Sequence, residues 1–310
     1  MVKRKGLSIF ALVLLCTILI GLIPQVHADA TEELTLGEMA ARGRSVSTYS
    51  LDTVSSKNVH AYPTRPVTLG GTSIGSIARV INGESYLPIR HFVERHVPGA
   101  RISYNSAART IAVSGAGYNI SVSDGAYATY AAGRVFFSRT PSVILSDGRM
   151  YVPVSNLAKA FSLSYRVTAS GTLALAGAPT PPVSAERYYD ADAVYWLSRI
   201  ISAESRGEPL IGQIAVGCVV LNRTRHPSFP NTIWGVIFDR KWGIQFSPVA
   251  NGTIYDTPAA SSILAAKICL DGFSISEDVL YFLRPSASSS SWIVNTRPFL
   301  WVIGNHYFFA

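Results

Sequence analysis

The sequence predicts an α+β protein, with a β-rich half followed by a mainly helical half. Between residues 62 and 178 short β-prone runs recur, broken by Gly and Asn/Asp turns. From residue 188 onward, apolar residues recur at helical spacing instead. Between the halves lies Gly177-Ala178-Pro179-Thr180-Pro181-Pro182-Val183-Ser184, a Pro-rich linker. With 310 residues, 48% hydrophobic and 15% charged, the chain is long and apolar enough for about two folded domains.

The N-terminus reads as a secretory signal over residues 1–28. Lys3, Arg4 and Lys5 form a basic start, Ile9 to Ile23 is almost wholly apolar, and Val26-His27-Ala28 offers a small-residue cleavage site. The apolar run is short for a membrane span, which takes ~20 residues. An uncleaved anchor is the alternative. Leu15 before Cys16 argues against a lipid-modified cysteine. The expected mature chain starts at Asp29 and is secreted to the cell wall. Residues 29–61 lack a sustained apolar period and are expected to be a mobile spacer.

Residues 62–178 contain strand-like runs at Arg101–Tyr104, Thr110–Val113 and Tyr118–Val122. They also contain an internal echo. Asn82-Gly83 leads into Glu84–Ile89, then a short helical pattern and two strands. Asp147-Gly148 leads into Arg149–Val154, then a helix over Ser155–Phe161 and strands at Tyr165–Val167 and Thr172–Leu175. Each Asx-Gly suits a hairpin turn, and each Pro, 88 and 153, should end its strand.

The linker covers residues 179–187, and the helical half covers 188–310. Asp190 and Asp192 open a helix on which Val194, Leu197, Ile200 and Ile201 are spaced for one face. Gly207 and Pro209 stop it just after Glu204. The next helix, about Ile211 to Thr224, is apolar nearly all round and should be central to the core. Thr232–Phe238 is a short amphipathic helix, and Asn251-Gly252 is a turn. Thr257 is expected to cap a helix with Pro258 first and Gly272 past its end. Val279–Leu283 and Leu300–Phe309 are two strand-like runs, with a serine-rich loop, 286–291, and Trp292 between them.

Charge is uneven. Residues 29–61 carry −2, residues 62–178 carry +7, and residues 188–310 are neutral. A basic exported module meets anionic wall polymers first. Nucleic acid is the weaker candidate, because the basic residues are scattered and no reading motif is present. Cys218 and Cys269 lie within apolar helical patterns and are expected as buried free thiols, with a disulfide as the alternative. No metal-ligand spacing or cofactor motif occurs.

Glu204 is the candidate for chemistry. A carboxylate on the last turn of a helix feels the negative dipole end, which raises its pKa. A carboxyl held protonated near neutral pH suits proton donation to a glycosidic oxygen. Glu208, four residues on beyond Gly207, reads as structural, capping the next helix.

Two resemblances follow from these residues. Residues 62–178, through the two Gly-x-x-Tyr-x-Pro turns, resemble the copper-amine-oxidase N-terminal-like stalk domain of secreted proteins. That implies a spacer or wall-contacting module without copper. His91 and His96, five apart, do not share a helix face. The C-terminal half resembles the SleB/CwlJ-type cell-wall hydrolases, the spore-cortex-lytic enzymes and their vegetative relatives. The matching blocks run in order from Ala203-Glu204-Ser205-Arg206-Gly207-Glu208-Pro209 through Gly212–Val216, Val219–Arg223 and Phe229-Pro230. Gln245–Val249, Asn251-Gly252, Tyr281-Phe282, Trp292 and Gly304–Phe308 complete them. Cys218 departs from the small residue more usual there.

This second resemblance implies a lysozyme-like or lytic-transglycosylase-like fold acting on peptidoglycan glycan strands, with Glu204 as the single catalytic acid. Gln245, Phe246, Tyr281, Trp292, Asn305 and His306 are then the candidate sugar-binding residues. Each also has a plainer reading, as core aromatic, loop amide or satisfied core polar. A zinc amidase lacks its ligand set, and a cysteine peptidase lacks an exposed Cys beside a His. The rival class is a wall-binding module that grips glycan without cutting.

Overall fold

The computed structural model describes residues 49–285 and 291–310, so the expected signal and most of the expected spacer lie outside the described residues. The β-rich half holds strands β1 (Thr64–Leu69), β2 (Thr72–Ile81) and β3 (Glu84–Pro88), helix α1 (Ile89–His96), and strands β4 (Arg101–Asn105), β5 (Thr110–Gly115) and β6 (Tyr118–Ser123). Strands β7 (Ala128–Ala131), β8 (Arg134–Phe137), β9 (Val143–Ile144) and β10 (Met150–Pro153) follow. Helix α2 (Val154–Ala160) and strands β11 (Ser164–Val167) and β12 (Leu173–Ala176) complete it. Two sheets result, one in the order β11-β12-β1-β2-β3-β10-β9 and one in the order β4-β5-β6-β7-β8. Only the β1–β12 pair is parallel among these ladders.

The echo in the sequence is a structural repeat. Asn82 (φ 50°) and Gly83 (φ 82°) both take positive φ between Ile81 and its partner Glu84, as a type I′ hairpin requires. Pro88 and Pro153 are the last residues of β3 and β10, and each is followed directly by a helix. The Asp147-Gly148 turn is wider. Its Asp147 carboxylate accepts from the Tyr151 hydroxyl at 2.9 Å instead of forming a two-residue loop.

The C-terminal half holds α3 (Ala185–Tyr188), α4 (Ala191–Ser205), α5 (Leu210–Arg225), α6 (Ile233–Ile237), α7 (Ser247–Asn251) and α8 (Ala260–Leu270). Strand β13 (Tyr281–Leu283), helix α9 (Ser291–Thr296) and strands β14 (Phe299–Ile303) and β15 (His306–Phe309) follow. The architecture is α+β, as expected. Helices α4, α5 and α8 pack together around α5, whose Ile214, Val216, Val219 and Val220 are buried. A Cβ on Gly217 of α5 would lie 2.7 Å from Cys269 Sγ and 2.9 Å from Ile201 Cδ1, so only glycine lets the three helices approach this closely. Cys218 and Cys269 are free and buried. Their mutual hydrogen bond, together with burial, pushes the Cys269 thiol up, which keeps it protonated.

Several expectations are corrected. The helix expected to start at Thr257-Pro258 starts at Ala260, with Ala259 as its cap. The Ala259 N–H is taken by Ser202 Oγ of α4 at 3.1 Å, which holds the preceding chain out of the helix. The Leu300–Phe309 run is two strands, β14 and β15, folded at Gly304-Asn305. Residues 49–61 are not a free spacer. The Tyr49 ring lies 5.8 Å from Trp301, the Asp52 N–H donates to Arg139 O at 3.0 Å, and Val59 and Tyr62 are buried with Tyr86 and Tyr151. Nor does the Pro-rich segment hold the halves apart. The Ala185 N–H donates to Ala132 O at 2.9 Å, and Phe137 of β8 meets Phe273 edge-on at 4.9 Å inside the helical core. Among the described residues no helix is long and apolar enough to cross a membrane, and no cluster of His, Cys, Asp and Glu could hold a metal ion.

Candidate active site

Helix α4 is capped by Asp190, whose carboxylate accepts from the Ala193 N–H at 2.8 Å. It ends at Ser205, so Glu204 stands on its last turn. The Ser205 hydroxyl turns inward to Ile201 O at 2.7 Å, while Glu204 faces the partly open side. Its carboxyl is half-buried and makes no hydrogen bond or ion pair with the described residues. Burial alone pushes its pKa up from the ordinary carboxylate range to about 7. The position on the last helical turn predicts a rise from the helix dipole. In the structure the cause is desolvation.

Glu208 is the opposite case. It accepts from the Asn305 backbone N–H at 3.0 Å and from Asn305 Nδ2 at 2.9 Å, and its Oε1 lies 3.8 Å from His306 Nδ1. Burial pushes this carboxyl up, but the Asn305 donors and neighbouring His306 and Arg284 outweigh it and leave the pKa low. Glu208 therefore does not cap α5, as expected from sequence. It clamps the α4–α5 loop to the β14–β15 turn. A Cβ on Gly304, whose φ is +57°, would collide with Glu208 Oε2. Glu204 and Glu208, four residues apart in sequence, thus have pKa values pushed in opposite directions, and only Glu204 is left without a donor.

The sequence-derived sugar-binding residues separate. Phe246 is 3% exposed and sits in the core against Arg223 and Phe282, so no sugar can stack on it. Gln245 beside it is half-buried, and its Nε2 donates to Gly243 O at 3.1 Å. Asn305 is spent on Glu208. His306 is buried against Phe282 at 5.4 Å, and burial holds its pKa low, so it is a neutral wall residue. Tyr281 and Trp292 do come together, edge-on at 6.0 Å, with Trp292 53% exposed. None of these six makes a hydrogen bond or ring contact with Glu204.

Three features escaped the sequence reading. Gln213 of α5 donates to Glu208 O at 3.0 Å and accepts from Ser262 Oγ at 2.8 Å, which pins the loop after Glu204 to α8. Trp196 of α4 meets Phe238 at 5.1 Å and Tyr255 at 6.3 Å, and Trp234 stacks on Phe238 at 5.0 Å. Trp234 and Tyr255 are exposed, so the helix that carries Glu204 also supports an open aromatic surface of the kind sugar faces stack on. The signal was available, because Trp234 falls off the face made by Ile233, Val236 and Ile237. Third, Arg223 and Arg297 both lie against Tyr281.

Residues 207–309 match the Cell Wall Hydrolase family, and residues 73–171 match the Copper amine oxidase N-terminal domain. The first match begins just after Glu204. Spore cortex-lytic enzymes of Bacillus cereus and Bacillus subtilis are each 39% identical, over 120 and 112 residues. These stretches take in 39% and 36% of this chain and 45% and 35% of theirs, so the chain spans less than half the length of the curated relatives it matches. Two solved structures also match. One is the catalytic domain of the germination-specific lytic transglycosylase SleB from Bacillus anthracis, with 37% identity, 39% of this chain, 97% of that chain and a TM-score of 0.36. The other is the catalytic domain of the Bacillus cereus SleB protein, with 38% identity, 39% of this chain, 92% of that chain and a TM-score of 0.36. Both family resemblances read from the sequence are thus met by independent matches on the same two halves.

Proposed function

We propose that the C-terminal half cleaves MurNAc–GlcNAc bonds of peptidoglycan as a lytic transglycosylase, with Glu204 as acid and then base. The observation that carries this is the Glu204 carboxyl: half-buried, unpaired and half-protonated near neutral pH. The similarity to curated spore cortex-lytic enzymes supports a cell-wall glycan as substrate.

Protonated Glu204 gives its proton to the bridging oxygen, the C1–O bond breaks, and positive charge develops at C1. The 2-N-acetyl group of the substrate stabilises C1. The 6-hydroxyl of the same sugar then attacks C1, and ionised Glu204 takes the hydroxyl proton. The products are a 1,6-anhydro end and a free 4-hydroxyl, and the enzyme ends as it began. A hydrolase with two carboxylates would need a second free carboxylate facing the first. Glu208 is already held by Asn305, which favours the route that uses one.

Glu204→Gln removes the proton and keeps the shape. It is expected to abolish release of fragments from purified peptidoglycan, while the far-ultraviolet spectrum stays unchanged. Mass spectrometry of wild-type fragments reads the route, since anhydro ends mean transglycosylation and reducing ends mean hydrolysis. Turnover by the Gln variant would refute the assignment. We read the protein as exported to the cell wall, and the +7 of residues 62–178 as contact with anionic wall polymers; wall retention at rising salt tests this contact.

A further inference from the structure

We propose that Arg223, Tyr281, Trp292 and Arg297 form a subsite for a carboxylate carried by the muramyl part of the glycan, an inference that rests on the peptidoglycan reading above. Arg223 stands on the last turn of α5 and is 6% exposed. Its Nε donates to Leu280 O at 2.8 Å, and its guanidinium lies 4.8 Å from the Phe229 ring and 5.3 Å from the rings of Phe246 and Tyr281. Its Nη1 is buried without an acceptor. Arg297 lies 4.7 Å from the same Tyr281 ring and 4.9 Å from Trp292, and its Nε is likewise buried without an acceptor.

Neither guanidinium has a carboxylate partner among the described residues. Asp239 lies near enough for Arg223 to feel its charge but forms no ion pair with it. Arg199 also buries an Nε without an acceptor, but it is a single guanidinium lying 3.8 Å from the Tyr195 ring, with no second arginine on that ring among the described residues. Arg134 is paired with Asp271, and even exposed Arg225 reaches Glu277 at 3.5 Å. Two like charges against one tyrosine ring repel, and buried N–H groups without acceptors are destabilising. An anion seated on this cluster relieves both, and the planar guanidinium fork suits a carboxylate. Exposed Trp292 supplies an apolar wall beside it.

Position favours a carboxylate on a tether. Arg223 lies ~20 Å along α5 from Leu210, the residue that opens the helix after the Glu204 loop. An extended peptide of about five residues spans ~17 Å. A stem peptide hanging from a muramyl residue one or two sugars nearer the cluster than the one at Glu204 covers the distance that remains. A lactyl carboxylate on a muramyl residue farther along the strand offers the same chemistry.

The test uses full-length Glu204→Gln protein, so that binding is read by calorimetry without cleavage. Three ligands are compared: peptide-bearing glycan strands, strands stripped by an amidase to leave lactyl carboxylates, and peptide-bearing strands whose carboxylates have been converted to primary amides. Amidated strands are expected to bind about tenfold more weakly than native ones. Adding Arg297→Gln should cost about tenfold on native strands and nothing further on amidated ones, with Arg297→Lys between. Stripped strands that bind like native ones assign the site to the lactyl group; stripped strands that bind like amidated ones assign it to the stem peptide. Equal loss from Arg297→Gln on native and amidated strands overturns the proposal, as does unchanged binding after amidation. The amidation arm needs no arginine variant, so misfolding cannot mask it. A wild-type protein that binds but does not cleave would sink the glycosidase reading and leave this one standing.

Discussion

At the scale of single residues, Glu204 and Glu208 show environment dividing two identical side chains. Glu204 loses water and gains no donor, so its neutral form is favoured. Glu208 loses water but gains Asn305, so its ionised form survives. The consequence for stability has a definite sign. A carboxyl whose folded pKa is raised stabilises the fold fully below the unfolded pKa, ~4.3, and loses that contribution as pH rises through about 7. Glu204→Gln is therefore expected to match wild type in unfolding free energy at pH 4 and to exceed it by roughly 2–3 kcal/mol at pH 8. Urea unfolding at the two pH values measures this; equal stability at pH 8 would mean that the carboxyl is well solvated. The same titration predicts cleavage that fades as pH climbs past neutrality, since the acid is then already ionised. That Glu204 ends a helix was legible from Gly207 and Pro209. That burial perturbs it was not, because burial depends on how the helices pack and not on residue type at one position.

At the scale of elements, α5 carries the C-terminal half through three buried polar side chains. Gln213 holds the Glu204 loop, Asn222 Nδ2 donates to Ser276 O and Val279 O at 2.9 and 3.0 Å, and Arg223 donates to Leu280 O. The apolar run of α5 was plain in the sequence, and Asn222 and Arg223 stand at its end. Their acceptors were not, because backbone carbonyls of an irregular strap leave no mark in residue type. The same limit hid the β14–β15 hairpin inside one apolar run and misplaced Phe246, whose chemistry fits a sugar platform or a core equally well. Asn222→Ala leaves the buried Val279 carbonyl without its donor, while Ser276 O keeps the Ser274 hydroxyl at 2.9 Å, and is expected to cost roughly 1–2 kcal/mol in denaturant unfolding. A loss below about 0.5 kcal/mol would show that the 276–280 strap is held by its apolar residues alone.

At the scale of the whole molecule, Asp271, at the C-terminal end of α8, joins the halves. Its carboxylate, almost fully buried, accepts from the Arg134 guanidinium, from the Tyr189 hydroxyl and, at 3.4 Å, from the Val135 N–H, while Lys159 Nζ reaches Asp271 O at 2.9 Å. Arg134, Val135 and Lys159 belong to the β-rich half. With Phe137 embedded in the helical core, the β-rich half is part of the C-terminal half's packing and not a detachable arm. Deleting residues 62–178 would therefore remove core as well as charge, and loss of wall retention in such a protein would be uninformative. Charge alone can be changed instead. Arg95, Arg101 and Arg166 are exposed and form no ion pair among the described residues, whereas Arg90, Arg109 and Arg149 are paired. Replacing these three arginines with Gln lowers the stalk charge from +7 to +4 without touching the interface. If anionic polymer is the partner, this variant should elute from cell walls at lower salt than wild type while cleaving soluble glycan strands at the same rate. Elution at unchanged salt would mean that retention comes from the glycan contacts of the C-terminal half, and the basic surface would then have no part in it.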